Sequence, residues 1–275
     1  MSADPELAPF LAHLRAHGAR LRVADDLVRE PDQPGLPHAE PRDEHVVRVP
    51  GLPPLVERRA GRCASDHATW SVAAALVRRA LVPAGGVVWD VGCGTGVLAI
   101  VAALLGARRV VALDVDADAL ALTQRNAAAA GVELATYASS LLDDVPATEP
   151  PADLMLANLP HKPSAPGAGL PLAEDGGPEG DALFAPFLAA ARTRLAPRGA
   201  LAFFQHSLPH PRWLAALSHE FDLELLSWKR RLLAADEYGP LRESFRARHA
   251  AGTSYVGSAP DAAYLVACVW HARRA

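Results

Sequence analysis

The sequence predicts a doubly wound α/β sheet, on three observations. From Val87 onward, short apolar runs alternate with longer Ala/Leu-rich segments. The first run ends in an acid and a glycine-rich turn, Val87-Val88-Trp89-Asp90-Val91-Gly92-Cys93-Gly94-Thr95-Gly96. The second run ends in another acid, Asp114. Strand–helix alternation calls for parallel strands with helices on both faces. A glycine turn at the carboxyl edge of the first strand is where such sheets grip a nucleotide-like ligand, near the switch in strand order. Glycine there permits positive φ and lets a ligand approach the backbone closely.

In chain order, Leu7 to His17 carries apolar residues at helical spacing and Gly18 is a stop signal. A second short helix is expected over Arg22 to Arg29. Pro31 to Pro54 is rich in proline and charge, with one strand-like patch from His45 to Val49. These stretches define an N-terminal appendage, residues 1–62, ahead of a main domain, residues 63–275. Ser65-Asp66 can cap a helix running to Ala80, with Trp70, Ala73 or Ala74, and Val77 on one face. Seven strands follow at Val87–Val91, Val110–Asp114, Val132–Ala138, Asp153–Ala157, Ala200–Gln205, Leu223–Trp228 and Ala263–His271. Helices are expected at Gly96–Leu105, Asp116–Ala130, Asp181–Leu195 and Pro211–His219. Two connections are long: Leu159–Gly180, with five prolines and five glycines, and the polar-aromatic stretch Leu232–Pro260.

Composition narrows the function. At 275 residues and 50% hydrophobic, the chain holds one full-sized domain plus the appendage. Aromatics are 6%, so the core must be built from Ala, Val and Leu. Only Lys162 and Lys229 are lysines. The net charge of -4 disfavours a broad nucleic-acid face. Cys63, Cys93 and Cys268 are far apart and form no CxxC pair, so neither a metal site nor a disulfide framework is expected. The acidic start and the lack of a long apolar run predict a cytoplasmic protein with no membrane partner. The oligomeric state is left open.

The turn itself discriminates between ligands. A dinucleotide fingerprint reads GxGxxG, and its third glycine position is Val97 here, with Gly96 one place earlier. The pattern is DxGxGxG, which disfavours a nicotinamide cofactor. Asp114 falls 22 residues after Gly92 at the end of the next strand. A carboxylate there offers two acceptor oxygens to two adjacent hydroxyls.

Asp90-Val91-Gly92-Cys93-Gly94-Thr95-Gly96 resembles the first motif of class I S-adenosylmethionine (SAM) dependent methyltransferases. The resemblance implies a Rossmann-like, seven-stranded, mostly parallel sheet and SAM as cofactor. It implies that the turn from Gly92 to Gly96 holds the cofactor and that Asp114, with Val115 beside it, meets the ribose. Asp90 is expected near the amino-acid end of the cofactor, or holding turn amides. Ser140, with Leu141 beside it, aligns with the adenine-binding position, Asp143 being the alternative.

Asn158-Leu159-Pro160-His161 resembles the Asp/Asn/Ser-x-Pro-aromatic motif of methyltransferases that act on planar nitrogens. Glu174 to Gly180 is similar to a glycine-rich segment of the glutamine-amide (release-factor type) group, and Asp90 to Gly106 to ribosomal-protein methyltransferases. The implied roles are Asn158 as the residue orienting the nitrogen and His161 as a catalytic residue, with Leu159, Pro160 and His161 lining the acceptor. An amide nitrogen is a poor nucleophile because its lone pair is delocalised. Acceptors at the Asn side chain and the next carbonyl can orient it, and such orientation supplies up to ~7–11 kcal/mol of a barrier. Leu159 stands where the glutamine group has proline, and His161 where it has Tyr or Phe. Histidine can stack, take a proton, or sit neutral in the core. The expected activity is methylation of a nitrogen on a small molecule, peptide or protein, with nucleic acid disfavoured. The alternatives are O- or carboxyl methylation of a specialised metabolite with a histidine base, a SAM-using reaction other than methylation, and a SAM-fold binding module.

Asp66 is read as a helix cap. His206 and His210 are separated by prolines and are not read as a metal pair. The runs Arg58, Arg59, Arg62 and Lys229, Arg230, Arg231 are read as solvated surface. Tyr238, Phe245 and Tyr255 could line a pocket or anchor their loop.

Overall fold

A computed structural model of the chain describes residues 4–32, 44–58, 65–165, 170–233 and 241–274. Cys63, Arg59, Arg62, Tyr238 and the 62/63 boundary lie outside the described residues.

The centre is a nine-stranded sheet. Its core strands are β4 (Val87–Val91), β5 (Arg109–Asp114), β6 (Ala135–Ala138), β7 (Ala152–Ala157), β8 (Leu195–His206), β9 (Phe221–Leu232) and β11 (Ala263–Arg274). The order is β6-β5-β4-β7-β8-β11-β9, followed by β1 (Leu21–Arg29) at the edge, with the short β10 (Gly257–Ser258) beside β11. All pairings from β6 to β8 are parallel, and β11 runs antiparallel to both β8 and β9. The chain leaves β4 toward β5 on one side and later returns to its other side as β7. The switch in strand order therefore falls beside β4, where the glycine turn begins.

Every residue of β4 is buried, as expected for a central parallel strand covered on both faces. Val87, Trp89 and Val91 face one apolar cluster. Val88 faces the other, with α2 (His67–Arg78) and α3 (Val97–Leu104). The expected helices appear with trimmed ends, as α1 (Ala8–Ala16), α3, α4 (Ala117–Ala130), α5 (Phe184–Arg194) and α6 (Arg212–Ser218). Asp116 caps α4 by accepting from the Asp118 amide, and Gly131 ends it with left-handed φ.

Several expectations are corrected. Arg22–Arg29 is not a helix but most of β1, paired in parallel with β9. The open edge of β9 supplies backbone partners that an isolated short helix lacks. The strand-like patch at His45 is β2 (Glu44–Val47), and its partner β3 (Leu55–Arg58) was not anticipated. Helix α2 ends at Arg78 and buries Ala68, Ser71, Val72, Ala73, Ala75 and Leu76, whereas Trp70 and Val77 are only half-buried. Trp70 instead stacks on His45 of the hairpin. The long stretch after Leu232 contains α7 (Arg242–Ala250) and β10. There Phe245 is buried against Leu208, Leu233 and Leu265, and Tyr255 against Phe10, so both anchor the segment. Lys229 and Arg231 are buried rather than solvated, because β9 continues past them under α2. Among the described residues, no helix is long and apolar enough to cross a membrane.

Candidate active site

The carboxyl edges of β4, β5 and β7 bring together the turn, Asp114 and Asn158. Gly92, Gly94 and Gly96 all have positive φ, which explains the glycine spacing. A Cβ on Gly92 would lie 3.0 Å from Leu159 Cδ2, and one on Gly96 2.7 Å from Thr123 Cγ2. A Cβ on Gly94 would meet nothing within 4 Å, so the turn presents an open side there. The Cys93 and Thr95 side chains turn inward: Cys93 Sγ lies 3.4 Å from Thr123 Oγ1, and Thr95 Oγ1 donates to Glu57 Oε1 at 2.6 Å. Their share in cofactor contact is therefore limited to backbone.

Asp90 is 1% exposed. Its Oδ2 accepts from the Ala99 amide at 3.0 Å, supplying the cap that Gly96 cannot give α3. Burial pushes its pKa up to about 7, with the Ala99 bond opposing and Asp114 reinforcing the rise. The structure places this carboxylate under the helix start, as a support for the turn.

Asp114 is half-buried at the end of β5. Its Oδ2 accepts from Gly94 N at 2.9 Å and its Oδ1 from Asp116 N at 3.0 Å. Each oxygen keeps a second lone pair. Next to it, Val115 is 63% exposed, an apolar side chain left facing out beside the turn. Ser139 to Asp144 forms a tight turn: Asp143 N donates to Ser140 O, and Asp144 N to Ser139 Oγ. Leu141 sits there with φ 52, a left-handed conformation costly for a branched side chain. Ser140 and Asp143 are both exposed.

Asn158 follows β7, half-buried. Its Nδ2 donates to Thr69 Oγ1 at 3.1 Å and to Asp66 Oδ1 at 3.4 Å. Asp66 is the cap of α2, accepting from the Ala68 and Thr69 amides. A carboxylate only accepts, so the Asn158 amide must turn its NH2 toward Asp66 and its oxygen away. That oxygen has no partner among the described residues.

Leu159 and His161 are buried, and Pro160 is half-buried. His161 Nδ1 donates to the Leu159 carbonyl at 2.6 Å, using one of that oxygen's two lone pairs. Its Nε2 therefore accepts, from His206 N at 3.1 Å and from His206 Nδ1 at 2.9 Å. Burial, partly opposed by the Leu159 bond, lowers the His161 pKa to about 4. His206 lies well below its ordinary value for the same first reason, with His161 and Arg231 adding to it. Both rings are neutral at pH 7, so the expectation of His161 as a base titrating near neutrality does not fit its surroundings. The glycine-rich segment closes over this loop: Lys162 N donates to Glu174 O, and Gly176 N to Lys162 O. A Cβ on Gly176 would stand 2.6 Å from His161 Cα.

Sequence reasoning missed Glu57, Thr123 and Asn126. Asn126 Nδ2 donates to Thr95 O and Arg58 O, tying β3 to the turn. Strand β3 buries Leu55 and Glu57 on one side, an alternation that Leu55-Val56-Glu57-Arg58 does not show in its hydropathy, so no local signal marked the acid.

The parallel sheet, the strand-order switch and this turn together define the core of a class I SAM-dependent methyltransferase. Within that class, residues 64–163 match the ribosomal protein L11 methyltransferase (PrmA) family, a span holding both the turn and Asn158. A ribosomal protein L11 methyltransferase of Pseudomonas paraeruginosa is 45% identical over 76 residues, 28% of this chain and 25% of that protein. The match thus spans a quarter of the relative's length. Two solved structures share the fold. A SAM-dependent methyltransferase from Agrobacterium tumefaciens has TM-score 0.51 and 16% identity, covering 86% of this chain and 72% of that one. A 16S rRNA methyltransferase of T. thermophilus, in complex with AdoMet and guanosine, has TM-score 0.53 and 17% identity, covering 84% and 50%.

Proposed function

We propose that this chain methylates a nitrogen of a protein or peptide acceptor, using SAM. The observation that carries the reading is the Asn158 amide, held with its oxygen outward beside the glycine turn. The residues fit the cofactor. Asp114 retains lone pairs for the ribose hydroxyls, the open side of Gly94 admits a close ligand, and exposed Val115 offers an apolar wall to a purine. The exposed Ser140–Asp143 turn, with Leu141 in its strained conformation, borders the adenine end.

When bound, SAM supplies an electrophilic methyl on a cationic sulfur, so no metal is required. Asn158 Oδ1 accepts an N–H bond from the acceptor and aims the nitrogen lone pair at that methyl. The remaining lone pair of the Leu159 carbonyl is the second acceptor, with His161 fixing that carbonyl from behind. The new bond is nitrogen to carbon, the bond broken is carbon to sulfur, and the proton left on nitrogen passes to water. The protein class of acceptor is supported by similarity to ribosomal protein L11 methyltransferases across the segment that contains both elements.

The test is methyl transfer from isotope-labelled SAM to purified ribosomal proteins and to ribosomal RNA in parallel. Label in protein is expected, and Asn158→Ala should lower kcat by ~10²-fold with little change in SAM affinity. Label in RNA alone would overturn the acceptor class. A full rate in Asn158→Ala would overturn the orienting role.

A further inference from the structure

We propose that Glu57 and Asp66 are positioning residues that join the cofactor turn to the acceptor-orienting Asn158. The proposal rests on the reading of Asn158 given above.

The link begins at Glu57, an acid buried on the inward side of β3. Its Oε1 accepts from Thr95 Oγ1, inside the turn, and from Ser65 N, both at 2.6 Å. Its Oε2 accepts from Ser65 Oγ at 2.8 Å. One carboxylate thus fixes the middle of the glycine turn and the residue just before the α2 cap. The next residue is Asp66. Its Oδ1 accepts from Ala68 N, Thr69 N, Thr69 Oγ1 and Asn158 Nδ2. Trp70 Nε1, donating to Ser65 Oγ at 2.8 Å, locks Ser65 from the helix side.

The chemistry explains why acids stand at both positions. A terminal amide can rotate by a half-turn and exchange its oxygen and nitrogen, and Asn158 so rotated would present donors to a donor. Asp66 excludes that state because a carboxylate has no hydrogen to give, and the Thr69 hydroxyl is held as an acceptor because it donates to Asp66. The Glu57 carboxylate accepts from three donors, one in the glycine turn and two on the residue ahead of the α2 cap. Donor turn and acceptor amide therefore share one frame, carried by the N-terminal hairpin.

The test uses the full chain labelled with 15N, with Asp66→Ser, Thr69→Val, the pair together, and Glu57→Gln. Serine caps a helix about as well as aspartate but is too short to reach Asn158. The reporter is the side-chain NH2 pair of Asn158, identified by its disappearance in Asn158→Ala. Its hydrogen exchange should accelerate about tenfold in the Asp66→Ser Thr69→Val protein, since hydrogen bonds to a charged group are lost. In methyl transfer, the same protein should lose ~10²-fold in kcat with SAM affinity nearly unchanged. Adding Asn158→Ala should cause little further loss. Asp66→Asn, which keeps the oxygen, should recover part of the rate. Glu57→Gln should raise the SAM Kd and lower kcat together. Unchanged Asn158 NH2 signals and exchange in the double variant would overturn the proposal. Changed signals with a rate indifferent to Asn158 would instead overturn the nitrogen-orienting reading and leave the positioning intact. Thr69→Val, nearly isosteric, carries the same test if the Asp66 variants do not fold.

Discussion

Replacing Asp90 by Asn should stabilise the protein most where the wild-type carboxylate is charged. The side chain is 1% exposed and its pKa is raised from 3.8 to about 7, chiefly by burial. A folded-state pKa above the unfolded value means that the native protein binds the proton more tightly. The penalty from this group is absent below 3.8, grows as pH rises, and is complete above about 7. The gap between the two values, at ~1.4 kcal/mol per pH unit, corresponds to about 4 kcal/mol. Roughly 3 kcal/mol of it accrues between pH 5 and pH 7. Asparagine keeps an oxygen for the Ala99 amide and cannot ionise. Urea unfolding of both proteins at pH 5 and pH 8 measures the difference directly. The expected result is a wild-type stability that falls relative to Asp90→Asn by about 3 kcal/mol on going to pH 8. A constant difference between the two proteins at both pH values would refute the reasoning.

Three further perturbations separate effects that share a neighbourhood. Gly96→Ala forces a side chain into φ +82 and places its Cβ 2.7 Å from Thr123. It should cost about 2 kcal/mol or more by thermal unfolding, whereas Gly94→Ala, with open space around its Cβ, should cost ~1–2 kcal/mol and mainly weaken SAM binding in calorimetry. Lys229→Met should destabilise by ~1–3 kcal/mol, because it removes the nearer of two cations from half-buried Glu30 and leaves Arg78 Nη2 at 3.6 Å. Burial alone would raise the Glu30 pKa, but Lys229 and the bonds from Ser71 and Ser227 hold it below its ordinary value. A Glu30→Gln Lys229→Met protein as unstable as the single variant would argue against this account. His13 is held down to about 4, first by burial and then by the charges of His17, His249 and His210. The folded state therefore binds fewer protons than the unfolded one between pH 6.5 and 4, and stability should decline as pH falls through that window. His13→Leu should flatten that decline in a pH series of melting curves.

The parts of the fold legible in the sequence are those specified locally. The strands from β4 to β7 are apolar runs bounded by turn residues, and the glycines at 92, 94 and 96 occupy positive-φ positions. Asp114 ends β5 and Asp116 caps α4, so an acid marks both the strand end and the helix start. The tetrapeptide Asn158-Leu159-Pro160-His161 marked the loop that follows β7. What stayed hidden depends on partners far along the chain. Leu21 to Arg29 fits either period, and the parallel edge of β9, about 200 residues away, decides for the strand. Lys229 and Arg231 look like surface charge until Glu30, the residue just after β1, pairs with the first. Glu57 reads as an ordinary surface acid because nothing near it in sequence shows that β3 will face the turn.

The neutral histidines bear on which atom receives the methyl. His161 and His206 hydrogen-bond to each other in a buried pocket, beside cations that lower them further. A hydroxyl acceptor would need a base to remove its proton as it reacts, and this pair is poorly suited to hold that proton near neutral pH. A nitrogen acceptor needs no such base, provided that it arrives uncharged. An amide satisfies this always, and an amine does so once it has lost a proton to water before entering. On the proposed reading the nitrogen requires direction, and two groups stand ready to give it: the Asn158 amide, held by Asp66 and Thr69, and the Leu159 carbonyl, steadied by His161. On this view the substitution of histidine for an aromatic ring at position 161 preserves the function of the loop. It replaces a stacking surface with a buried donor that locks the carbonyl beside the acceptor.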